Sequence, residues 1–309
     1  MSNSPLVSYT RISPNRNSPR NASICYITPH CVVGQCSVEA LGEVFAPTSR
    51  QASSNYGIGY DGRVGMYCPE SDRSWCSSSA WNDNRAVTIE CASDIESPYR
   101  VYDVVYNKLI DLCVDICKRN GKKKLLWLGS ADATMKYTVK ADEMVLTAHR
   151  WYANTRCPGD YLYSHFGDLA GRVTMKLQDL KWVQKPVWYL YQGDKMLTGW
   201  QEVKSKWYYL DDNGVMHTGW LYDKSYKGWF LFSNNGDMLT GWQKVKDKWY
   251  YLAPSTTNST VKGKMVTGWL KDNGKWYYLD PSNGHMYADG TYVIEGKKYT
   301  FDKSGALVE

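Results

Sequence analysis

The sequence lacks an apolar run long enough to span a bilayer, and its N-terminus lacks the apolar segment of a secretory signal peptide. We therefore expect a chain made in the cytoplasm without a signal peptide and without insertion into a membrane. Basic runs interleaved with aromatics are also missing, although the net charge is +6, so we predict no nucleic-acid partner. The modest excess of positive charge favours contact with an anionic polymer instead.

Cysteine is missing from the last 152 residues, because all nine cysteines lie at or before position 157. An odd number of cysteines without a signal peptide predicts reduced thiols rather than a disulfide framework. Cys113 and Cys117 stand at helical spacing in an apolar pattern, which indicates core packing. Cys31 and Cys36 are compatible with a metal clip or with buried thiols, and buried thiols are the preferred interpretation.

Histidine is scarce, with five residues in the whole chain, and one of them stands in a distinctive context. His149 precedes Cys157 by eight positions, and Pro-Gly follows the cysteine and forces a rigid turn. Imidazole and thiolate together suit Zn²⁺, but a catalytic zinc usually has three protein ligands and one open position. His30, just beyond a predicted strand, is the candidate for the third ligand.

The first part of the chain alternates between strand and helix patterns, which predicts an α/β domain with a central sheet. Ser37 is a plausible N-cap for the first helix, and Asp61-Gly62 is a strong hairpin signal. A loop is predicted over 130–146. Strands are predicted at 24–28, 52–60, 63–67, 86–92 and 124–129, and helices at 37–45, 97–120 and 161–169. We place this domain at 1–172 and a linker at 173–181.

The remaining part, 182–309, is dominated by internal repetition. Thr-Gly-Trp recurs with its tryptophan at positions 200, 220, 242 and 269, and an aromatic block such as Trp-Tyr-Tyr-Leu follows each copy. Each copy predicts a β-hairpin, and hairpins that cannot bury a face alone must stack into a solenoid. Residues 256–262 indicate a loop inserted into one repeat.

Four blocks of the first domain resemble the type-2 N-acetylmuramoyl-L-alanine amidases, which are zinc enzymes that share their fold with peptidoglycan recognition proteins. These blocks are His30, residues 55–62, residues 85–90 and the His149 to Cys157-Pro-Gly segment, and the resemblance covers about residues 5–170. It implies a central mixed β-sheet flanked by helices. It also implies a zinc site of His30, His149 and Cys157, with Glu90 as general base and with Tyr56 and Thr155 at the oxyanion.

The hairpins resemble the choline-binding repeats of bacterial cell-wall hydrolases, in which aromatic boxes hold a quaternary ammonium by cation–π attraction. Three complete boxes are predicted: Trp182, Trp188 and Tyr209; Trp220, Trp229 and Tyr251; Trp242, Trp249 and Tyr278. Two further pairs need other partners: Trp200 and Trp207, opposite the non-aromatic Leu231, and Trp269 and Trp276, with Phe301 from the terminal segment. Similar repeats bind glucans, so glucan is the alternative ligand.

Both resemblances together imply a peptidoglycan hydrolase, a phage endolysin or a bacterial autolysin, that acts on the wall after release from the cell. It is expected to cut the amide between N-acetylmuramic acid and L-alanine of the stem peptide, and to be held by choline of teichoic and lipoteichoic acids. Homodimerisation through the repeats stays open. The alternatives are a non-catalytic protein that recognises peptidoglycan and choline, and a choline-binding adhesin with a host partner.

Overall fold

The computed structural model describes residues 2–257 and 259–308, and the chain divides into two compact units between Lys181 and Trp182. The α-helices of the first unit are α1 Val38–Phe45, α2 Ala80–Arg85, α3 Asp103–Arg119, α4 Ala131–Met135, α5 Asp160–Ser164 and α6 Phe166–Leu177. Short 3₁₀ helices occupy Thr48–Arg50 and His149–Trp151. Among the described residues, every helix falls short of the length or the apolar character that crossing a membrane requires.

A mixed sheet forms the centre of the first unit. Its strands are β1 Val7–Thr10, β3 Tyr26–Cys31, β4 Tyr56–Ile58, β5 Val64–Met66, β7 Ala86–Cys91, β8 Lys124–Leu126 and β9 Glu143–Leu146, while β2 Arg16–Asn17 and β6 Arg73–Ser74 form a separate pair. The spatial order is β1-β5-β4-β7-β3-β9-β8. Strands β4 and β5 pair antiparallel across the predicted Asp61-Gly62 turn, and the other neighbours run parallel.

The main apolar core lies between this sheet and the helices α3 and α6. Leu109, Cys113 and Cys117 of α3 are fully buried in it, as their helical spacing predicts. Helix α1 adds a smaller cluster through Leu41 and Phe45, and the Ser37 hydroxyl accepts the Ala40 amide as the expected N-cap. A mixed sheet with flanking helices confirms the predicted fold class.

Two segments of this unit that were predicted to be irregular contain regular secondary structure. The predicted loop at 130–146 contains α4, which the Ser130 hydroxyl caps, and the buried strand β9, whose apolar run is too short to stand out. The predicted linker at 173–181 overlaps α6, which continues to Leu177 because Val173 is buried against the core.

The second unit is a series of antiparallel hairpins. A short three-stranded sheet, β10 Leu180–Lys185, β11 Val187–Gln192 and β12 Lys195–Met196, begins at the boundary between the units. The following hairpins are β13 Gly199–Val203 with β14 Lys206–Leu210, β15 Gly219–Asp223 with β16 Gly228–Phe232, β17 Gly241–Val245 with β18 Lys248–Leu252, β19 Gly268–Asp272 with β20 Lys275–Leu279, and β21 Gly290–Ile294 with β22 Lys297–Phe301.

Backbone hydrogen bonds join each hairpin to the one before it. The amide of Met238, which follows β16, donates to the carbonyl of Trp207 in β14 at 2.8 Å, and Met265 donates in the same way to Trp229 at 2.7 Å. Among the described residues, five short bridges connect the second strand of a hairpin to the loop that follows it, as at Leu210 and Met216. The series of stacked hairpins predicted from the repeats is confirmed.

Candidate metal centre and aromatic cages

His30, His149 and Cys157 lie together in the first unit. One nitrogen of each histidine and the Cys157 Sγ lie within 4.8 Å of one another. The His30 Nδ1 is 3.2 Å from the Cys157 Sγ, and the two imidazole rings are 5.0 Å apart. The structure therefore brings together the three predicted metal ligands from positions that are far apart in the sequence.

Each ligand is positioned by a different part of the fold. His30 belongs to β3, His149 opens the 3₁₀ helix after β9, and Cys157 precedes α5. The Cys157 carbonyl accepts the Arg150 amide at 3.1 Å, which ties the two ends of the His149–Cys157 segment together. Gly159 has φ +81°, and a Cβ there would lie 2.8 Å from the Tyr99 Cβ, so only glycine fits this turn.

The chemistry of these groups suits a zinc ion. His30 is 1% exposed, and its Nε2 has no hydrogen-bond partner among the described residues, which is costly unless a ligand uses the ring. Burial, with a further contribution from His149, holds the pKa of His30 well below its ordinary value, so the imidazole is neutral as a metal ligand must be. Two nitrogens and one sulfur at this spacing match the donor set that Zn²⁺ prefers.

Glu90 lies beside this cluster, on the same face of the sheet as His30. The two residues are directly paired across β3 and β7, so their side chains emerge on the same side. Desolvation raises the pKa of Glu90 to about 7, against smaller lowering effects from the Cys76 thiol and Arg50. A carboxyl group with a pKa near neutrality is suited to accept and return protons.

Cys76 is a neighbour that the sequence did not single out. Its Sγ lies 3.7 Å from the Glu90 Oε1, and Cys76, Glu90 and His30 form a second group of candidate ligand atoms within 4.8 Å. The Asp83 carboxylate accepts the Cys76 amide at 3.0 Å and the Ser77 hydroxyl at 2.6 Å, which fixes this loop. Nothing in the local sequence distinguishes Cys76 from the other thiols, because its proximity to Glu90 arises from the fold.

The prediction that Tyr56 acts in catalysis is wrong. Tyr56 pairs with Ile89, whereas the neighbouring Gly57 pairs with Glu90, so the Tyr56 side chain leaves the sheet on the face opposite to Glu90. Its hydroxyl donates to the Glu70 carboxylate at 2.7 Å and accepts the Ser4 amide at 2.9 Å. Arg119 completes this network through an ion pair with Glu70 at 2.6 Å. Tyr56 is therefore a structural residue of the core.

Replacement of Tyr56 by phenylalanine is expected to leave kcat unchanged and to lower the free energy of unfolding by about 1–2 kcal/mol, because a buried carboxylate loses a donor. Steady-state kinetics and denaturant unfolding measure the two effects. Tyr67→Phe is the matched control, since its buried hydroxyl donates to the Val38 carbonyl at 2.7 Å. A large fall in kcat for Tyr56→Phe, but not for Tyr67→Phe, would show that Tyr56 takes part in catalysis and would contradict a purely structural role.

A cavity of about 980 Å³ surrounds the metal-ligand cluster. Thr155 lines it, and the Thr155 Oγ1 accepts the Cys157 amide at 3.2 Å. Arg50 and Arg156 also line it, and the guanidinium groups of both have no hydrogen bond or ion pair within the described residues. The cavity therefore presents two available positive charges beside a nitrogen–sulfur cluster and a carboxyl group.

The hairpins of the second unit form aromatic cages, but with a different third partner from the one predicted. Trp220 is 5.0 Å from Tyr250 of the next hairpin, and Trp242 is 4.9 Å from Tyr277. The predicted partners Tyr251 and Tyr278 are wrong, because successive residues of a strand face opposite sides. Tyr251, for example, lies opposite Trp242 within its own hairpin.

The partner shifts by one residue at two further cages and by two residues at the last one. Trp182 contacts Tyr208 rather than Tyr209, at 5.0 Å. Trp200, for which Leu231 offered no aromatic ring, contacts Phe230 at 4.9 Å. Trp269 contacts Tyr299 at 4.8 Å, closer than Phe301 at 6.1 Å. The cages that pair two tryptophans of one hairpin with a ring of the next are Trp200, Trp207 and Phe230; Trp220, Trp229 and Tyr250; Trp242, Trp249 and Tyr277; Trp269, Trp276 and Tyr299.

The fold and the two kinds of site define a protein of two parts: an α/β unit with a cluster of candidate metal ligands, and a repeat unit that carries aromatic cages. Comparison with protein families identifies both parts. Residues 20–160 match the N-acetylmuramoyl-L-alanine amidase family, and residues 197–239 and 239–290 match the choline-binding repeat. The chain thus combines an amidase-family domain with choline-binding repeats, as predicted from the sequence.

Solved structures with similarity to this chain include choline binding protein F from Streptococcus pneumoniae with a peptidoglycan analogue. That match has 45% identity and a TM-score of 0.37, and it covers 41% of this chain and 40% of that chain. The multimodular pneumococcal cell wall endolysin from phage Cp-1, solved with choline, is 30% identical with a TM-score of 0.30, over 42% of this chain and 37% of that one. The chain thus spans about two fifths of these relatives. The comparison with curated proteins returned no match.

Proposed function

We propose that the first unit is a zinc-dependent N-acetylmuramoyl-L-alanine amidase and that the repeats hold it on walls that carry choline. The convergence of His30, His149 and Cys157 beside Glu90 carries this proposal, because it unites a metal donor set with a proton acceptor in one cavity. The substrate is the amide between N-acetylmuramic acid and L-alanine of the stem peptide. The protein acts at the cell wall, as an endolysin or an autolysin.

The residues of the cavity have different roles in the proposed amide hydrolysis. When bound by His30, His149 and Cys157, Zn²⁺ supplies Lewis-acid activation of water and of the scissile carbonyl. Glu90 accepts the proton of the attacking water as the new C–O bond forms, and it returns that proton to the alanine nitrogen as the C–N bond breaks. The Thr155 hydroxyl, whose oxygen already accepts the Cys157 amide, retains its hydrogen to donate to the oxyanion.

Arg50 and Arg156 extend this account to substrate binding. Both arginines line the cavity, and Arg50 is near enough to lower the pKa of Glu90. Carboxylates of the stem peptide are the substrate groups that such charges bind. We therefore assign the two arginines to positioning of the peptide portion.

The repeats contribute affinity rather than chemistry. Each cage exposes aromatic faces of the kind that bind quaternary ammonium ions, and Trp229, Trp249 and Trp276 remain more than 40% exposed. Several weak sites on one chain raise the effective concentration of the catalytic unit near its substrate. Glucan is the ligand to be tested against choline.

Digestion of purified choline-containing walls tests the proposal. New free L-alanine amino groups are expected without new reducing sugar ends, and a zinc chelator is expected to abolish them. Tryptophan fluorescence during titration with choline and with a soluble glucan reports on the repeats separately. Walls that bind the protein but yield no new amino groups would favour the non-catalytic recognition protein.

A further inference from the structure

Two departures from the repeat pattern meet at one cage. The turn between β15 and β16 spans four residues, 224–227, whereas the turn between β17 and β18 spans two, 246–247. The bridge that closes the next loop joins Leu252 to Met265, while the corresponding earlier bridge joins Leu210 to Met216. The longer turn and the longer loop both border the cage of Trp200, Trp207 and Phe230.

The longer turn adds a ring to this cage. Tyr226 lies 6.1 Å from Trp200 and 5.8 Å from Phe230. Lys264, at the end of the inserted loop, donates from its Nζ to the Tyr226 carbonyl at 3.1 Å. The turn and the loop therefore support each other, and both are fixed by contacts within the second unit.

The inserted loop forms part of the wall of the same cavity. Trp200, Trp207, Tyr226, Phe230 and Met238 line it together with three loop residues, Thr256, Val261 and Lys262, and its volume is about 270 Å³. The loop is held from within, because the Lys262 amide donates to the Thr256 Oγ1 at 3.1 Å and the Ala253 amide donates to the Lys264 carbonyl at 2.9 Å.

The charges around this cavity are of both signs and lie in different places. The Asp223 carboxylate accepts the Trp200 Nε1–H at 2.7 Å and supplies negative charge behind the aromatic wall. Lys262 lines the loop side, and within the described residues its ammonium group has no hydrogen bond or ion pair. A cation at this position disfavours free choline, but it complements a phosphate group attached to choline.

We propose that this cage recognises a polymer-borne choline phosphate ester as a whole, with the ammonium against the aromatic rings and the phosphate at Lys262. The Thr256 hydroxyl hydrogen provides a second donor to the phosphate, since its oxygen already accepts the Lys262 amide. The rings of the Trp220 and Trp242 cages come from one hairpin and the next, and we assign to these cages recognition of the ammonium alone. The inference rests on the choline binding proposed above.

Indole resonances of the full chain, labelled with ¹⁵N-tryptophan, test this inference site by site. The signals of Trp200 and Trp242 are assigned with Trp200→Phe and Trp242→Phe. Titrations use choline, phosphocholine and inorganic phosphate. At Trp200 we expect phosphocholine to bind about threefold to fivefold more tightly than choline, as an exposed ion pair allows, and at Trp242 we expect equal affinities.

Lys262→Ala is expected to abolish the difference between the two ligands at Trp200 while choline affinity stays the same or rises. Lys248→Ala is the matched control, because this exposed lysine precedes Trp249 of the Trp242 cage. Equal affinities at Trp200 in the unaltered protein, with indole signals that do respond to choline, would overturn this inference alone. If no indole signal responds to choline, the proposed choline anchoring fails as well.

A titration with lipid vesicles distinguishes two sources of a choline phosphate ester, a wall polymer and a lipid headgroup. Phosphatidylcholine vesicles are expected to leave the Trp200 signal unchanged, because a headgroup packed in a bilayer cannot enter a cavity walled by three chain segments. Loss of the Trp200 signal in the presence of vesicles would show that the cage binds a lipid headgroup, and it would contradict the proposal that the ester belongs to a polymer.

Discussion

Replacement of Glu90 by glutamine is expected to lower kcat on cell walls by about 100- to 10,000-fold, the range that loss of a general base covers. Glutamine keeps the size of the side chain beside His30 but cannot accept the proton of the attacking water. Binding to choline-containing walls is expected to stay unchanged, because the cages belong to the second unit. Release of L-alanine amino groups and wall co-sedimentation measure the two effects.

Glu39→Gln is the control for this substitution, since Glu39 is an exposed carboxylate paired with Arg63 at 2.6 Å. It is expected to retain full activity. If Glu90→Gln had an activity close to that of the unaltered protein, Glu90 would not be the general base.

Replacement of Glu90 by glutamine is also expected to change the stability of the protein in a way that depends on pH. Desolvation raises the pKa of Glu90 to about 7, whereas an unfolded glutamate titrates near 4.3. The stability that the protonated carboxyl contributes is complete below the unfolded pKa and is lost as the pH rises through about 7. In the metal-free protein we expect Glu90→Gln to be more stable than the unaltered protein by about 1–3 kcal/mol near pH 8, and equally stable near pH 4.

The α-helices of the described residues all lie in the first unit, so the far-ultraviolet helix signal follows the unfolding of that unit. A stability difference that is the same at both pH values would show that Glu90 is not a buried, pKa-shifted carboxyl group.

Replacement of Cys157 by serine is expected to reduce bound zinc from about one ion per chain to less than about a tenth, because a hydroxyl is a far weaker zinc ligand than a thiolate. Amidase activity is expected to disappear with the metal. Elemental analysis of the purified variants measures the stoichiometry. Cys25→Ser is the control, since this partly buried thiol lies outside the cavity.

Cys76→Ser distinguishes the two candidate ligand groups that share His30. It is expected to retain zinc, because Cys76 belongs to the group that contains Glu90 rather than to the group that contains His149. Loss of zinc in Cys76→Ser and retention in Cys157→Ser would reverse the assignment.

The sequence predicted the parts of the site that rest on residue type. His30, His149 and Cys157 carry donor atoms that few other residues offer. The Pro-Gly pair that follows Cys157 predicts the turn at this position. The structure places their side chains together, although the sequence separates His30 from Cys157 by 127 positions. Glu90 could be predicted because a carboxylate among the apolar residues of β7 requires a partner or a role.

Most errors in the predicted sites share one physical cause. Tyr56, Tyr209, Tyr251 and Tyr278 were each assigned to the wrong face of a strand, because a shift of one residue reverses the face. Phe301 lies two positions from the observed partner Tyr299, on the same strand, and is a separate error. The pairing of Tyr56 with Ile89 is fixed by packing across the sheet, not by local sequence. The proximity of Cys76 and Glu90 likewise depends on a loop that Asp83 holds from another element.

Anomalous scattering at the zinc absorption edge, from crystals of the full chain grown with zinc, tests the central claim most directly. We expect one strong peak within bonding distance of His30, His149 and Cys157, with the Glu90 carboxylate beside the open coordination position and not bonded to the ion. A peak held by His30, Cys76 and Glu90, or no peak in this cavity, would contradict the account.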